Sequence, residues 1–326
     1  MAEPMAVNPT QIGAHQRKHA PLAMGGSTFG PNQYTGDEDA NLLGALEAAY
    51  ERGITHFDTA EGYGGGHSER LIGRFIAASP SRRNRLFLAS KANLDDLTPQ
   101  SMLKAIEGSL ARMQTDVIDL YYIHWPRTGK DMRPVMEGLE VARQQGKIRS
   151  VGVSNFSVEQ MEQVGEVGRI DAHQLAYNLF WRVNERDVIP YCNAHYISIV
   201  TYASLAHGIL AGRIPQQPDF PKGDQRNSIL LFREDIWPQV YAANEAFKAI
   251  AAKADRPLAH LAIRWLLRRS GVSSVVVSAR NAQQANANAD ALYGDIPDDV
   301  FAELTAVSDA VNPHIPFADT LYNYNP

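Results

Sequence analysis

Short apolar runs and amphipathic helical segments alternate along most of this chain, and this alternation restricts the fold more than any other feature of the sequence. There are eight candidate strands, and a helical segment follows almost every one of them. Several of these strands are apolar at consecutive positions, which is typical of strands covered on both faces. Eight strand–helix units in succession predict an α/β protein with a closed (β/α)8 TIM barrel rather than an open sheet.

The boundaries of these segments follow from apolar periodicity and from capping signals. Thr98 before Pro99 marks one helix start, and Ser157 with Gln160 forms a capping box at another. The predicted strands are 21–24, 55–58, 86–90, 117–123, 150–153, 172–176, 197–202 and 274–277. The other predicted helices are 37–52, 67–78, 132–145, 185–194, 239–253, 257–269, 282–293 and 298–311.

The length of 326 residues suits either one large barrel or two ordinary domains. The sequence contains no linker, no low-complexity run and no repeat beyond the strand–helix alternation. It therefore predicts a single domain over 1–326. Residues 1–20 are expected to form an N-terminal arm or cap, and 312–326 a C-terminal tail.

Composition limits the partners and the compartment. The net charge of −5 and the pI near 6.1 argue against nucleic acid or an anionic membrane surface as the main partner. No run approaches a membrane span, and the N-terminus lacks the apolar core of a signal peptide. The single cysteine, Cys192, suits a reducing compartment. We therefore expect a cytoplasmic protein with a small-molecule substrate and no metal, whose oligomeric state stays open.

Three neighbouring strands are each expected to end in a polar residue of a different kind. Asp58 ends the second strand, Lys91 the third and His124 the fourth, while Tyr63 lies in a glycine-rich loop after Asp58. Catalytic groups of such barrels lie at the C-terminal ends of the strands. We therefore expect these four side chains to converge at the barrel mouth.

The four groups are chemically complementary. A tyrosine has an ordinary pKa near 10, and the Lys91 ammonium would lower the pKa of Tyr63. Asp58 would hold Lys91 in place, and His124 would orient a substrate oxygen. Together they predict a site that donates a proton to a carbonyl oxygen while its carbon is reduced. The alternative is a buried Asp58–Lys91 ion pair beside a core histidine.

Reduction of a carbonyl carbon requires a cofactor, since no amino acid supplies a hydride. The sequence contains no Rossmann fingerprint. The run Gly64-Gly65-Gly66 is not followed by Lys-Ser or Lys-Thr, so it is not a phosphate-binding P-loop. A barrel can bind a dinucleotide without either motif, through strand-end side chains and helix N-termini.

These motifs resemble the aldo-keto reductase superfamily, and the resemblance covers about residues 20–295. The matching stretches are Phe57-Asp58-Thr59-Ala60, Tyr63 with Ser68-Glu69, Lys91, Asp119-Leu120-Tyr121-Tyr122-Ile123-His124-Trp125-Pro126 and Gly152-Val153-Ser154-Asn155-Phe156. Residues 177–180 and 220–227 look most like bacterial members of the branch that also contains the potassium-channel beta subunits.

The resemblance implies hydride transfer from a nicotinamide to an aldehyde or ketone. It implies a catalytic tetrad of Asp58, Tyr63, Lys91 and His124, with Tyr63 as the general acid in reduction. The cofactor residues that it implies are Ser154, Asn155 and Gln174 at the carboxamide, Tyr202 stacked on the nicotinamide, Leu205 and Gly208 along the pyrophosphate, and Arg280, Gln284 and Asn288 around the adenosine.

The sequence departs from the family pattern in the cofactor loops. Ala203-Ser204 stands where the family often has Ser-Pro, Arg213 where it commonly has lysine, and Val277-Ser278 where it commonly has Pro-Gly. Arg280 could pair with a 2′-phosphate through its planar guanidinium. NADP is therefore the expected cofactor, and NAD is the alternative.

Three functions remain open on these residues. The first is an NADP-dependent oxidoreductase acting on small carbonyl compounds. The second is a nucleotide-binding regulatory protein with little turnover, as the likeness to channel subunits allows. The third is a sugar or polyol dehydrogenase that works in the oxidative direction. An aromatic rim for the substrate is expected from Trp125, Phe156, Phe180 and Trp181.

Overall fold

Eight parallel strands form a closed barrel in the computed structural model, which describes residues 7–13, 18–29 and 38–323. Each strand pairs with its neighbours in chain order, and β8 closes the barrel against β1. The strands are β1 Leu22–Gly25, β2 His56–Asp58, β3 Phe87–Ala92, β4 Ile118–Ile123, β5 Ile148–Ser154, β6 Ala172–Ala176, β7 Ser198–Tyr202 and β8 Val272–Ser278. The predicted (β/α)8 barrel is therefore confirmed.

Ten α-helices lie in the described part of the chain, mostly between consecutive strands. They are α1 Asp39–Glu51, α2 His67–Ala77, α3 Pro99–Met113, α4 Arg133–Gln144, α5 Val158–Gly165, α6 Val188–Ala194, α7 Trp237–Lys253, α8 Leu258–Leu267, α9 Ala282–Asp290 and α10 Asp298–Val311. Thr98 and Ser157 cap α3 and α5 through reciprocal capping boxes, as the sequence predicted.

Most predicted boundaries differ from the observed ones by a few residues. The largest differences are at α6, which begins at Val188 after a separate 3-10 turn, and at α9, which ends at Asp290. The observed ends of two strands also differ from the predicted ends. Lys91 is the next-to-last residue of β3, and His124 follows the last residue of β4. Only Asp58 ends its strand as predicted.

The N-terminal ends of the strands are tied together by a buried carboxylate. Asp119 lies at the start of β4 and is fully buried. Its Oδ2 accepts from the Leu88 backbone N–H at 2.9 Å and from Arg83 Nη2 at 2.9 Å, and its Oδ1 pairs with Arg149. These contacts link β3, β4 and β5 at the end of the barrel opposite to the strand termini that carry Asp58 and His124.

The last described residues fold back onto the barrel. Leu321 is fully buried, and its carbonyl accepts from the Leu230 N–H at 3.0 Å. The Asn323 N–H donates to the Ser228 carbonyl at 2.8 Å. This pairing holds the ring of Tyr322 at the barrel mouth. The predicted arm 1–20 and tail 312–326 lie partly outside the described residues, and the division of the chain into these parts stays a prediction.

No helix among the described residues has the length and apolarity that a membrane crossing requires.

Close packing inside the barrel yields a stability prediction at Gly152 on β5. A Cβ atom at this position would lie 2.3 Å from Cδ1 of Tyr122, which is fully buried on β4. We expect Gly152→Ala to lower the free energy of unfolding by about 1–3 kcal/mol through overpacking. Urea unfolding measures this as a lower midpoint at unchanged slope.

Gly44 provides the control, because it lies inside α1 and a Cβ there would meet nothing within 4 Å. Gly44→Ala should raise stability by up to about 1 kcal/mol, since alanine favours helix more than glycine does. Equal midpoints for the two variants would contradict the packing described for Gly152.

Candidate active site

A buried ion pair occupies the C-terminal end of the barrel. Lys91 Nζ lies 2.6 Å from Asp58 Oδ1, and both side chains are almost completely buried. Lys91 also donates to the Thr59 carbonyl at 2.8 Å, and Gln174 Nε2 donates to Asp58 Oδ2 at 2.8 Å. Burial lowers the pKa of Lys91, while the Asp58 charge opposes this effect. Besides the bond between them, Lys91 and Asp58 are therefore held by two hydrogen bonds, one to Thr59 and one from Gln174.

Tyr63 and His124 lie beside this pair. The Tyr63 ring centroid is 5.3 Å from Lys91 Nζ and 5.8 Å from the His124 ring, which it meets edge-on. Asp58, Tyr63 and His124 line one cavity, and Lys91 lies directly behind Asp58. The four side chains therefore meet at the barrel mouth, where they are brought together from β2, β3, the end of β4 and the loop after β2.

The electrostatics of Tyr63 differ from the prediction. Burial raises the pKa of Tyr63 well above its ordinary value, and the negative charge of Asp58 raises it further. The expected net lowering of this pKa is therefore not found in this structure, because desolvation of the phenolate and the Asp58 charge dominate. With its pKa raised, Tyr63 is present as the neutral phenol, the form that can donate a proton.

His124 is neutral as well. Burial lowers the pKa of His124 to about 3, and the nearby Lys91 charge acts in the same direction. The imidazole can therefore form hydrogen bonds in the cavity without bringing a positive charge to it.

The cavity has a volume of about 530 Å³ and extends from Tyr63 to Arg280. Seven of the nine residues that the resemblance assigns to the cofactor line it: Ser154, Asn155, Gln174, Tyr202, Leu205, Gly208 and Arg280. The other two, Gln284 and Asn288, do not line it. Gln284 Oε1 accepts from the Arg280 N–H at 2.9 Å, and Asn288 Nδ2 donates to the Ser278 carbonyl at 3.2 Å. These two side chains brace the segment that carries Arg280.

The cavity wall between β5 and β7 is polar and conformationally constrained. Tyr202 Oη donates to Asn155 Oδ1 at 2.7 Å, and Asn155 Nδ2 donates to Ser154 Oγ at 3.0 Å. Asn155, Ala203, Ala206 and His207 all have φ between 48° and 63°, a region that non-glycine residues seldom occupy. Backbone strain of this kind clusters at ligand-binding sites.

The predicted aromatic rim is largely wrong. Only Trp125 lines the cavity. Phe156, Phe180 and Trp181 are each at most 2% exposed and pack in the apolar core, where Phe180 meets Phe247 at 5.4 Å. These side chains have large apolar areas. Their burial in the core is favourable because it removes more apolar surface from water than a position at the barrel mouth would.

Several residues at the cavity were not named individually from the sequence, among them His207, Gln225, Arg226 and Tyr322. The Tyr322 ring meets Trp125 and His207 edge-on, each at 6.1 Å. Arg226 pairs with Asp224 at 2.6 Å. Local sequence held no signal for Tyr322, because its place depends on the return of the tail to the barrel.

The fold and the side chains at its mouth define a class of barrel enzyme, and comparison with known proteins assigns the family. The model of the aldo/keto reductase family matches residues 21–309. The chain belongs to this family and is an NAD(P)-dependent oxidoreductase.

Individual relatives agree with this assignment. The chain is 34% identical to the aldo-keto reductase YhdN of Bacillus subtilis over 278 residues, which are 82% of this chain and 83% of the relative. The structure of the glycerol dehydrogenase AKR11B4 from Gluconobacter oxydans matches with a TM-score of 0.85 and 31% identity, over 96% of this chain and 97% of that one. An aldo-keto reductase from Klebsiella pneumoniae in complex with NADPH matches with a TM-score of 0.73 and 26% identity, over 99% and 100% of the two chains.

A pH-dependence prediction concerns His173 on β6, which is fully buried beside the cavity wall. Its Nε2 accepts from the Phe156 N–H at 3.1 Å, and burial lowers its pKa to about 4. The unfolded chain binds a proton below an ordinary pKa near 6.5, so His173 should reduce stability as pH falls from about 6.5 to 4.

His173→Gln keeps an acceptor for the Phe156 N–H without a titratable ring. We expect the loss of unfolding free energy between pH 6.5 and 4 to shrink by up to about 1.4 kcal/mol per pH unit, which corresponds to one proton. Urea unfolding at several pH values tests this. Parallel stability–pH curves for the two proteins would show that folding does not lower the pKa of His173.

Proposed function

We propose that this protein is an NADP-dependent oxidoreductase that transfers a hydride reversibly between the nicotinamide and a small carbonyl or alcohol substrate. Tyr63 acts as general acid in reduction and as general base in oxidation. The observation that carries the proposal is the shared cavity: Tyr63, His124 and Arg280 all line it, so a proton donor and residues that can bind a nucleotide face the same space.

The residues present fit a nicotinamide dinucleotide. Asn155 and Gln174 offer amide groups, Tyr202 offers an aromatic face, and Arg280 offers a guanidinium to the cavity. The buried Nε2 of His207 has no hydrogen-bond partner in the described part of the chain, which suits a polar ligand along the loop that follows β7. When bound, the nicotinamide would supply or accept the hydride.

Tyr63 would give its proton to the carbonyl oxygen as negative charge develops there. The phenolate left behind is unstable in a buried site, and the Lys91 ammonium is the cation placed to stabilise it, with Nζ 5.3 Å from the ring centroid. Asp58 holds this ammonium in place. His124, being neutral, would donate a hydrogen bond to the same oxygen and fix its orientation. In the reverse direction the Tyr63 phenolate would take the proton of an alcohol.

The charges of the cavity favour an uncharged substrate. Asp58 neutralises Lys91, Asp224 neutralises Arg226, and burial keeps His124 neutral. With Arg280 assigned to the cofactor, the wall formed by Trp125 offers an apolar surface rather than an anion site. The similarity to a glycerol dehydrogenase supports small polyols and their carbonyl products as substrates, and the oxidative direction as a candidate.

The test is a titration with NADPH followed by a panel of aldehydes, ketones and sugars, and a titration with NADP⁺ followed by a panel of alcohols.

We expect Tyr63→Phe to reduce kcat by about 10²- to 10⁴-fold, the usual contribution of a positioned acid, with the Kd for NADPH changed less than twofold. Tyr196→Phe is the control, because Tyr196 is 92% exposed. Turnover by Tyr63→Phe at the unsubstituted rate would remove the role given to the phenol. Binding of NADPH without turnover of any substrate would favour a regulatory role.

A second variant tests the cofactor preference. Arg280→Ala should weaken NADPH binding by about 10- to 100-fold, which corresponds to the roughly 1.5–3 kcal/mol of a hydrogen bond to a charged group. The Kd for NADH should change little, because NADH lacks the 2′-phosphate. Arg268→Ala is the control, since Arg268 pairs with Asp298 on the surface. An equal loss for both nucleotides would show that Arg280 does not contact the 2′-phosphate.

A further inference from the structure

The loop that carries Tyr63 is rich in glycine, a residue that favours no single backbone conformation. Three glycines follow Tyr63, and all three have φ between 58° and 79°. A Cβ at Gly65 would meet nothing within 4 Å, and the side-chain contact there is from Arg70 Nη2 to the Gly65 carbonyl at 3.1 Å. Within the loop, the Tyr63 N–H donates to the Ala60 carbonyl at 3.1 Å, and the Ser68 N–H donates to the Tyr63 carbonyl at 3.3 Å. Glycines disfavour a single backbone conformation, so the position of the phenol requires contacts from outside the loop.

Those contacts come from a fully buried carboxylate on α2. Glu69 Oε1 accepts from Ser90 Oγ at 2.5 Å, and Glu69 Oε2 accepts from Arg112 Nε at 2.5 Å. Ser90 is the neighbour of Lys91 on β3, and Arg112 lies in the last turn of α3. Glu69 therefore links the helix that follows the Tyr63 loop to the strand that carries Lys91.

Arg112 reaches both ends of the loop. Its Cδ would lie only 2.6 Å from a Cβ at Gly66, so its side chain lies directly against the residue that ends the loop. Its Nη2 is 3.9 Å from Glu61 Oε2, two residues before Tyr63. Glu61 in turn accepts from the Asn93 N–H at 3.3 Å. One guanidinium thus contacts the segment on either side of the catalytic phenol.

We propose that Glu69 and Arg112 are positioning residues that fix the Tyr63 hydroxyl relative to Lys91 and His124. Neither side chain lines the cavity. They act by holding the loop against β3 and α3, and the inference rests on the role proposed above for Tyr63. The Glu69 charge also favours protonated Lys91 by raising its pKa, which adds to the geometric effect.

The test is Arg112→Met, which keeps most of the side-chain volume and removes the guanidinium. Displacement of a reacting group by about 1 Å can lower the rate by about 10²-fold. We expect kcat to fall about 10- to 100-fold and the Kd for NADPH to change less than twofold. Amide hydrogen exchange should become faster in residues 61–68 while the strands keep their protection. An unchanged kcat in folded Arg112→Met would overturn the inference.

Arg149→Met is the matched control. Arg149 also pairs with a fully buried carboxylate, that of Asp119, but at the opposite end of the barrel. Because Arg83 also pairs with Asp119, Arg149→Met should lower the unfolding midpoint by no more than Arg112→Met does, and without the selective loss of kcat. An equal loss of kcat in both variants would show that Arg112 contributes only to stability. If Arg112→Met does not fold, Arg112→Lys is measured in the same way, since lysine keeps the charge and lacks the planar fork.

A double-mutant cycle separates this inference from the proposed function. If Arg112 acts through Tyr63, Arg112→Met should cause no further loss of residual turnover when Tyr63→Phe is already present. If the double variant instead shows the product of the two single losses of kcat, the positioning role is overturned and the role of Tyr63 stands. Full turnover by Tyr63→Phe alone would overturn both proposals.

Discussion

The ion pair between Lys91 and Asp58 is the interaction on which the barrel mouth depends. Two charges removed from water are costly unless each is fully hydrogen-bonded. Here Thr59 and Gln174 supply the missing partners, so the pair ties β2, β3 and β6 together. The arrangement places the Lys91 ammonium 5.3 Å from the ring of Tyr63, a phenol whose pKa is raised by burial. The same contact therefore joins three strands and sets the surroundings of Tyr63.

The closed barrel explains how residues from distant parts of the sequence reach this pair. Parallel strands in chain order bring their C-terminal ends to one rim, so each following loop starts at the cavity. The loop after β2 supplies Tyr63, and the loop after β7 supplies the strained segment around His207. The opposite rim is held by Asp119 and its arginines. Each end of the barrel is thus held by a buried carboxylate that pairs with cationic side chains.

Polar contacts behind the cavity set the geometry of its loops, as the contacts that line it do. Gln284 and Asn288 match cofactor positions in sequence, yet in the structure they brace the Arg280 segment. Arg112, which pairs with Glu69, likewise lies against Gly66 at the end of the Tyr63 loop. Loops at a barrel mouth have few apolar contacts, so buried hydrogen bonds and ion pairs set their geometry instead.

The sequence by itself determined the barrel and the grouping of Asp58, Lys91 and His124, because strand–helix periodicity and strand order place these residues on one rim. It also determined the capping boxes at Thr98 and Ser157, which are local. Only the tertiary structure decided that Phe180 and Trp181 are buried, that Tyr322 reaches the cavity, and that Tyr63 has a raised pKa. Burial and desolvation depend on everything that packs around a side chain, and the neighbours of Tyr322 and Phe180 are distant in the sequence.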